Sequence, residues 1–161
     1  MKPLHLNERS SLTITLAVLL ALASLTIIAL AQDTYLMNIK SVDTMDFEGN
    51  LKETFIKGEV VNVNATLEYP VLYKKPPSVS YLALIRITDP ASRMIILSHS
   101  VDTISQGEVK AFGGGGQIPL DAPSGTYEAK VCVWNGWVSV MGENWESYAA
   151  PVSTTFTVTA G

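Results

Sequence analysis

All three tryptophans of this 161-residue chain, Trp134, Trp137 and Trp145, fall in the stretch Val133 to Pro151, with Tyr148 beside them. Aromatic rings gathered this densely stack on the faces of sugars or anchor a protein interface. Trp137, Trp145 and Tyr148 are therefore the candidate interaction surface. The alternative seats Trp134 and Tyr148 in the core and leaves only Trp137 and Trp145 outside. Other chemistry is sparse. The chain has two histidines, His5 and His99, and one cysteine, Cys132. Zinc takes three or four protein ligands, so His99 without a Cys pair makes no zinc site. Nothing marks a nucleophile for a Ser-His-Asp arrangement. The expectation is a protein that is not an enzyme and carries no cofactor.

Weaker candidates follow. Asp43, Asp46 and Glu48 form the best acidic cluster for calcium, but they lack the D-x-D-x-D spacing of a calcium loop and read as a solvated acidic loop. Asn64-Ala65-Thr66 is an N-glycosylation sequon, with Asn64 on the outward side of a predicted strand. Cys132 has no partner for an intramolecular disulfide and no basic cluster to activate it, so it reads as a small buried hydrophobe. The run Gly113 to Gly116 precedes no helix and no Gly-Lys-Ser/Thr, which makes it a flexible strand connection rather than a phosphate cradle.

The elements that must position these residues are short strands with period-two alternation. Tyr35, Met37 and Ile39 share one side of Thr34 to Val42. Gly58 to Tyr69 turns Val61, Val63, Ala65 and Leu67 inward. Ser80 to Asp89 is the most apolar strand, and the turn Asp89 to Ser92 pairs it with Arg93 to His99. Thr126 to Trp134 turns Tyr127, Ala129, Val131 and Val133 inward against Glu128, Lys130 and Cys132. Thr154 to Thr159 closes the chain. Seven or eight strands, with turn signals between them and no amphipathic helix, predict an all-β, two-layer antiparallel sandwich.

One hydrophobic segment precedes them. Leu12 to Ala31 carries no charge and no proline. As a helix its twenty residues span ~30 Å, the thickness of a bilayer core. Its length suits a retained anchor, whereas Ala29 and Ala31 form a small-x-small cleavage site before Gln32. Lys2 and Arg9 precede the run and acidic residues follow it, which keeps the N-terminus inside and exports the rest. The expected division is a cytoplasmic region 1–11, an anchor or signal helix 12–31 and an extracytoplasmic domain 32–161. From Gln32 onward there are nine Lys and Arg against fourteen Asp and Glu. That acidic balance argues against nucleic-acid partners.

The strings Phe55-Ile56-Lys57-Gly58-Glu59-Val60-Val61, Tyr81 to Pro90, and Pro123-Ser124-Gly125-Thr126-Tyr127 resemble the strands and the P-x-G-x-Y turn of macroglobulin-type and bacterial immunoglobulin-like modules. The resemblance covers about Phe55 to Thr159 and implies an immunoglobulin-like sandwich. The layout of an apolar helix before such a head is also similar to archaeal pilins and accessory proteins of the archaeal flagellum. Here Arg9-Ser10-Ser11 stands where pilins carry a Lys/Arg-Gly processing site.

Three functions fit. One is a cell-surface protein presenting its head for adhesion, envelope attachment or assembly, with other surface proteins, or copies of itself, as partners. Another is a secreted filament subunit that donates the strand bearing Tyr35, Met37 and Ile39 to a neighbour after cleavage. The third is a carbohydrate-binding module.

Overall fold

The computed structural model describes residues 35–160. Residues 1–11, the apolar run 12–31 and the candidate cleavage residues Ala29 and Ala31 lie outside the described residues. No helix among the described residues is long and apolar enough to cross a membrane.

Eight strands make up the fold: β1 (Asn38–Met45), β2 (Thr54–Ile56), β3 (Val60–Glu68), β4 (Ser78–Thr88), β5 (Met94–Ser105), β6 (Val109–Gln117), β7 (Gly125–Trp134) and β8 (Val152–Thr159). They form two sheets, ordered β1-β3-β6 and β2-β8-β7-β4-β5. The inward residues of both sheets meet in two apolar clusters, with Ile39 and Phe112 packing against both. Val61, Val63, Ala65 and Leu67 of β3 are fully buried, as are Ala129, Val131 and Val133 of β7. Each fully buried Val or Leu contributes roughly 1.5–3 kcal/mol. Phe55 and Tyr127 flank Phe156 at 5.3 and 5.5 Å, joining β2 and β7 to β8. Gly125 opens β7 at φ +146°, and a Cβ there would stand 2.8 Å from Pro90 Cγ.

The pairing is antiparallel throughout except at one edge, where β2 runs parallel to β8. The wholly antiparallel expectation is corrected there. The chain reaches this edge by a turn at Asp46 to Asn50, makes a three-residue strand, and leaves at Gly58, whose φ is +86°.

Two other expectations change. Strand β1 carries a register shift between Ile39 and Ser41, where one extra residue faces β3. Such a bulge moves later residues to the opposite side. Val42 and Thr44 thus share the inward side with Ile39, and the simple alternation ends at Lys40. Met37 is buried and Ile39 packs against the core, both within their own sandwich, while Tyr35 lies outside it. Of the candidate donor residues, Ile39 is paired with β3 of its own chain, Met37 donates its N–H to the Tyr148 carbonyl, and Tyr35 precedes the strand.

Gly113 to Gly116 is no loop. All four lie within β6, paired with β3 from Asn64 to Val61. The reason is close approach. A Cβ at Gly114 would stand 2.7 Å from Ser98 Cβ and 3.3 Å from Ile85 Cδ1, and one at Gly115 would stand 2.0 Å from the Val61 carbonyl oxygen. Strand β5, the edge of the large sheet, settles onto β6, the edge of the small one, and Ser98 Oγ donates to the Gly115 carbonyl at 3.1 Å. Glycine is what lets this side of the sandwich close.

Candidate functional site

Period two also decides what faces outward from the large sheet. With Ala83, Ile85 and Ile87 inward, β4 presents Leu82, Leu84 and Arg86 on its outer side. By the same parity β7 presents Lys130, Cys132 and Trp134. The register sets these side by side: Leu82 opposite Trp134, Leu84 opposite Cys132, Arg86 opposite Lys130. An outer face is ordinarily wet, yet Leu82 and Leu84 are only 2% and 4% exposed. Leu84 lines a cleft that it shares with residues of the excursion between β7 and β8.

That excursion leaves β7 at Asn135, makes one helical turn over Val138–Met141 and a 3-10 turn over Gly142–Asn144, and returns beside Trp134. Asn135 clamps its base. Its Nδ2 donates to the Asn144 carbonyl at 2.6 Å, its Oδ1 accepts the Glu146 N–H at 3.0 Å, and its own N–H donates to the Glu146 carbonyl at 3.0 Å. The Tyr148 N–H then donates to the Val133 carbonyl, and the Tyr148 carbonyl accepts the Met37 N–H at 2.7 Å. The excursion is thereby pinned at both ends and swings Trp137 and Trp145 over the sheet.

The result is an open cleft of about 490 Å³, within the range of small-ligand sites. Trp134, Trp137, Trp145 and the ring of Tyr35 line it, together with Arg86 and Lys130. Trp134 and Trp145 meet edge to face at 5.3 Å, and Trp137 meets the exposed His99 ring edge to face at 5.3 Å. Trp137 is 37% exposed, so its ring is available to a ligand.

The placement divides the sequence candidates. Trp137 and Trp145 come together. Tyr148 does not join them, because its ring packs against the inner cluster of Met37, Tyr69, Tyr81 and Val133. Burial, with the Glu146 carboxylate adding, pushes its phenol above the ordinary tyrosine range. Trp134 takes its place in the cleft. Cys132 is half-buried at the cleft rather than inside the core. Burial raises its thiol pKa, against the opposing pull of the Lys130 and Arg86 charges. Asn64 sits half-exposed on the outer face of the small sheet, away from the cleft. In the acidic loop, Asp46 accepts the Asn50 N–H at 2.8 Å, and that bond chiefly holds its carboxyl below the usual range. Among the described residues no three His, Cys, Asp or Glu side chains are placed to hold a metal.

The cleft lining contains no Asp, Glu or His. Glycoside hydrolysis runs on a pair of carboxylates, and this arrangement offers none. Stacking surfaces and cations are what it has. Period-two parity carried the signal for Trp134 and Arg86, since both share sides with outward residues. That they converge required the register of β4 on β7.

Solved structures share the fold. The C-terminal domain of Wzt matches with a TM-score of 0.61 at 12% identity, over 79% of this chain and 75% of that one. A β-glucuronidase from Bacteroides uniformis matches at 0.54 and 10% identity, over 75% of this chain. The Pseudomonas fluorescens alkylpurine DNA glycosylase AlkC, in complex with DNA containing an abasic site analog, matches at 0.53 and 15% identity over 78% of this chain. The matched parts are 14% of the glucuronidase and 31% of the glycosylase. At such identities the likeness shows the fold alone. It is an all-β sandwich. No family model and no curated protein matches the chain in sequence.

Proposed function

We propose that this chain is a non-catalytic cell-surface protein whose sandwich head binds glycan in the tryptophan cleft. The observation that carries the reading is the convergence of all three tryptophans on one open cleft. Sugar rings present flat faces of C–H bonds that stack on indole, and a rigid sheet floor holds the rings in place at low entropic cost. Adhesion or envelope attachment through such contacts follows directly. The head is of immunoglobulin-like type in this reading. Tyr127 supports it, since its buried phenol donates to the Pro123 carbonyl at 2.6 Å, like the tyrosine corner of such domains. The run 12–31 then serves as the anchor that keeps the head outside the cell. A glycan on Asn64 would leave the cleft open, because it would stand on the other sheet.

The test is a tryptophan-fluorescence titration of the full-length chain in detergent against a panel of oligosaccharides. At least one quenches the native protein. Replacing Trp137 and Trp145 together by Ala lowers that affinity at least ~10-fold, as loss of two anchoring rings should, with the β-sheet circular dichroism retained. Undiminished binding by the double variant, or no quenching by any saccharide, overturns the reading.

A further inference from the structure

We propose that the glycan this cleft takes is acidic, carrying a carboxylate or sulfate that lies between Arg86 and Lys130. The inference rests on the glycan reading above and names the class of sugar. Arg86 and Lys130 are direct register partners on neighbouring antiparallel strands. Like charges placed directly opposite one another destabilise a sheet, and this register sets two such residues side by side. The ordinary remedy is a nearby carboxylate, and the domain has many. Lys40, Lys52, Arg93 and Lys110 pair with Asp or Glu. Lys57, Lys74 and Lys75 make no ion pair among the described residues and, unlike Arg86 and Lys130, do not face another cation across a strand pair. Arg86 and Lys130 make no ion pair among the described residues, although the domain carries more acidic than basic residues. Glu128, one step along β7 and diagonal to Arg86, makes none with it either.

The two cations are also placed where a ligand reaches them. Both line the cleft with the tryptophans, beside Cys132, whose thiol feels both charges. A guanidinium offers paired donors that match the two oxygens of a carboxylate or sulfate, and the ammonium adds a point charge on the same anion. A uronic or sulfated sugar would lay its ring on indole and its anion on this pair. A neutral sugar would leave the two like charges facing each other without a counterion.

The experiment is a printed array of uronic-acid, sulfated and neutral saccharides, probed with the full-length chain in detergent and with Arg86→Gln/Lys130→Gln. The expected signals are confined to acidic saccharides. They fall at least ~10-fold in the double variant and in about 0.5 M NaCl, where the Debye length is only a few ångström. The ligand-free double variant melts at the same temperature as the native chain or higher, because the facing charges are gone. Neutral saccharides bound as well as acidic ones, or acidic binding that survives the double substitution, overturns this inference and leaves the glycan reading standing. No binding to any saccharide overturns both.

Discussion

Trp145 shows what the cleft asks of a single residue. Its indole N–H is buried without a hydrogen-bond partner, while its ring stands edge-on to Trp134. A buried unpaired donor costs about 1–3 kcal/mol, so the ring is held there for its shape. Trp145→Phe removes the orphan donor along with some contact, and the two effects oppose each other. The variant is expected to melt within a few degrees of the native protein yet to bind saccharide more weakly. A large drop in melting temperature would mark Trp145 as a structural plug instead. Cys132 gives a second prediction at this scale. Burial raises its thiol pKa, so at pH 8 less of it is thiolate than in free cysteine, and alkylation by iodoacetamide is slower. Bound saccharide slows it further because Cys132 lines the cleft. Alkylation as fast as that of free cysteine would contradict this placement.

At the scale of elements, two devices hold the sheets in register. One is the turn from β4 to β5, where the buried Asp89 carboxylate accepts the N–H groups of Ala91 and Arg93 at 2.9 Å and the Arg93 guanidinium at 2.7–2.8 Å. Burial disfavours its charge, but these donors outweigh burial and hold the carboxyl below its usual range. The stabilisation is therefore present above the unfolded carboxylate pKa near 4 and is lost as pH falls through the lower folded value. Asp89→Asn should lower the melting temperature at pH 7, and its difference from the native chain should shrink at acid pH. An equal difference at both pH values would contradict the account. The other device is the glycine-built strand β6. Gly115→Ala drives a Cβ into the Val61 carbonyl and should cost at least ~1–3 kcal/mol. Gly113→Ala meets only an ordinary 3.4 Å contact and should cost far less. Equal melting temperatures for the two variants would sink the close-approach argument.

These elements also show what the chain's own residues make legible. The inward set of β3 follows from alternation alone, because each inward residue is apolar and, Val60 aside, each outward one is polar. The glycine run reads locally as a loop, since nothing in four glycines announces that another strand will press against them. The bulge in β1 is invisible for a similar reason: Lys40 looks like any outward residue until its partner strand is known. The tryptophans were legible as a cluster but not as a cleft. Tyr148 is drawn inward against Met37 and Tyr69, as the core alternative has it, whereas Trp134 is outward by strand parity and lines the cleft. Arg86 and Lys130 lie 44 positions apart in sequence and meet only through pairing.

At the scale of the whole molecule, the two sheets divide the labour. The small sheet closes the core and presents Asn64 outward, while the large sheet carries the cleft. On the anchored reading of Leu12 to Ala31, protein isolated from its native cells has its full mass and stays in the membrane fraction. A released species lacking the first 31 residues would make the head a secreted one without altering the cleft. The chain supplies its own reporters for that cleft. It has three tryptophans, all in the cleft wall, hence three indole N–H resonances. Nitrogen-15 NMR of the full-length chain, titrated with the saccharide that quenches its fluorescence most strongly, reads the site directly. The account predicts that all three indole signals shift and saturate together with one affinity. Saccharide binding that moves amides elsewhere and leaves the indole signals in place would contradict it.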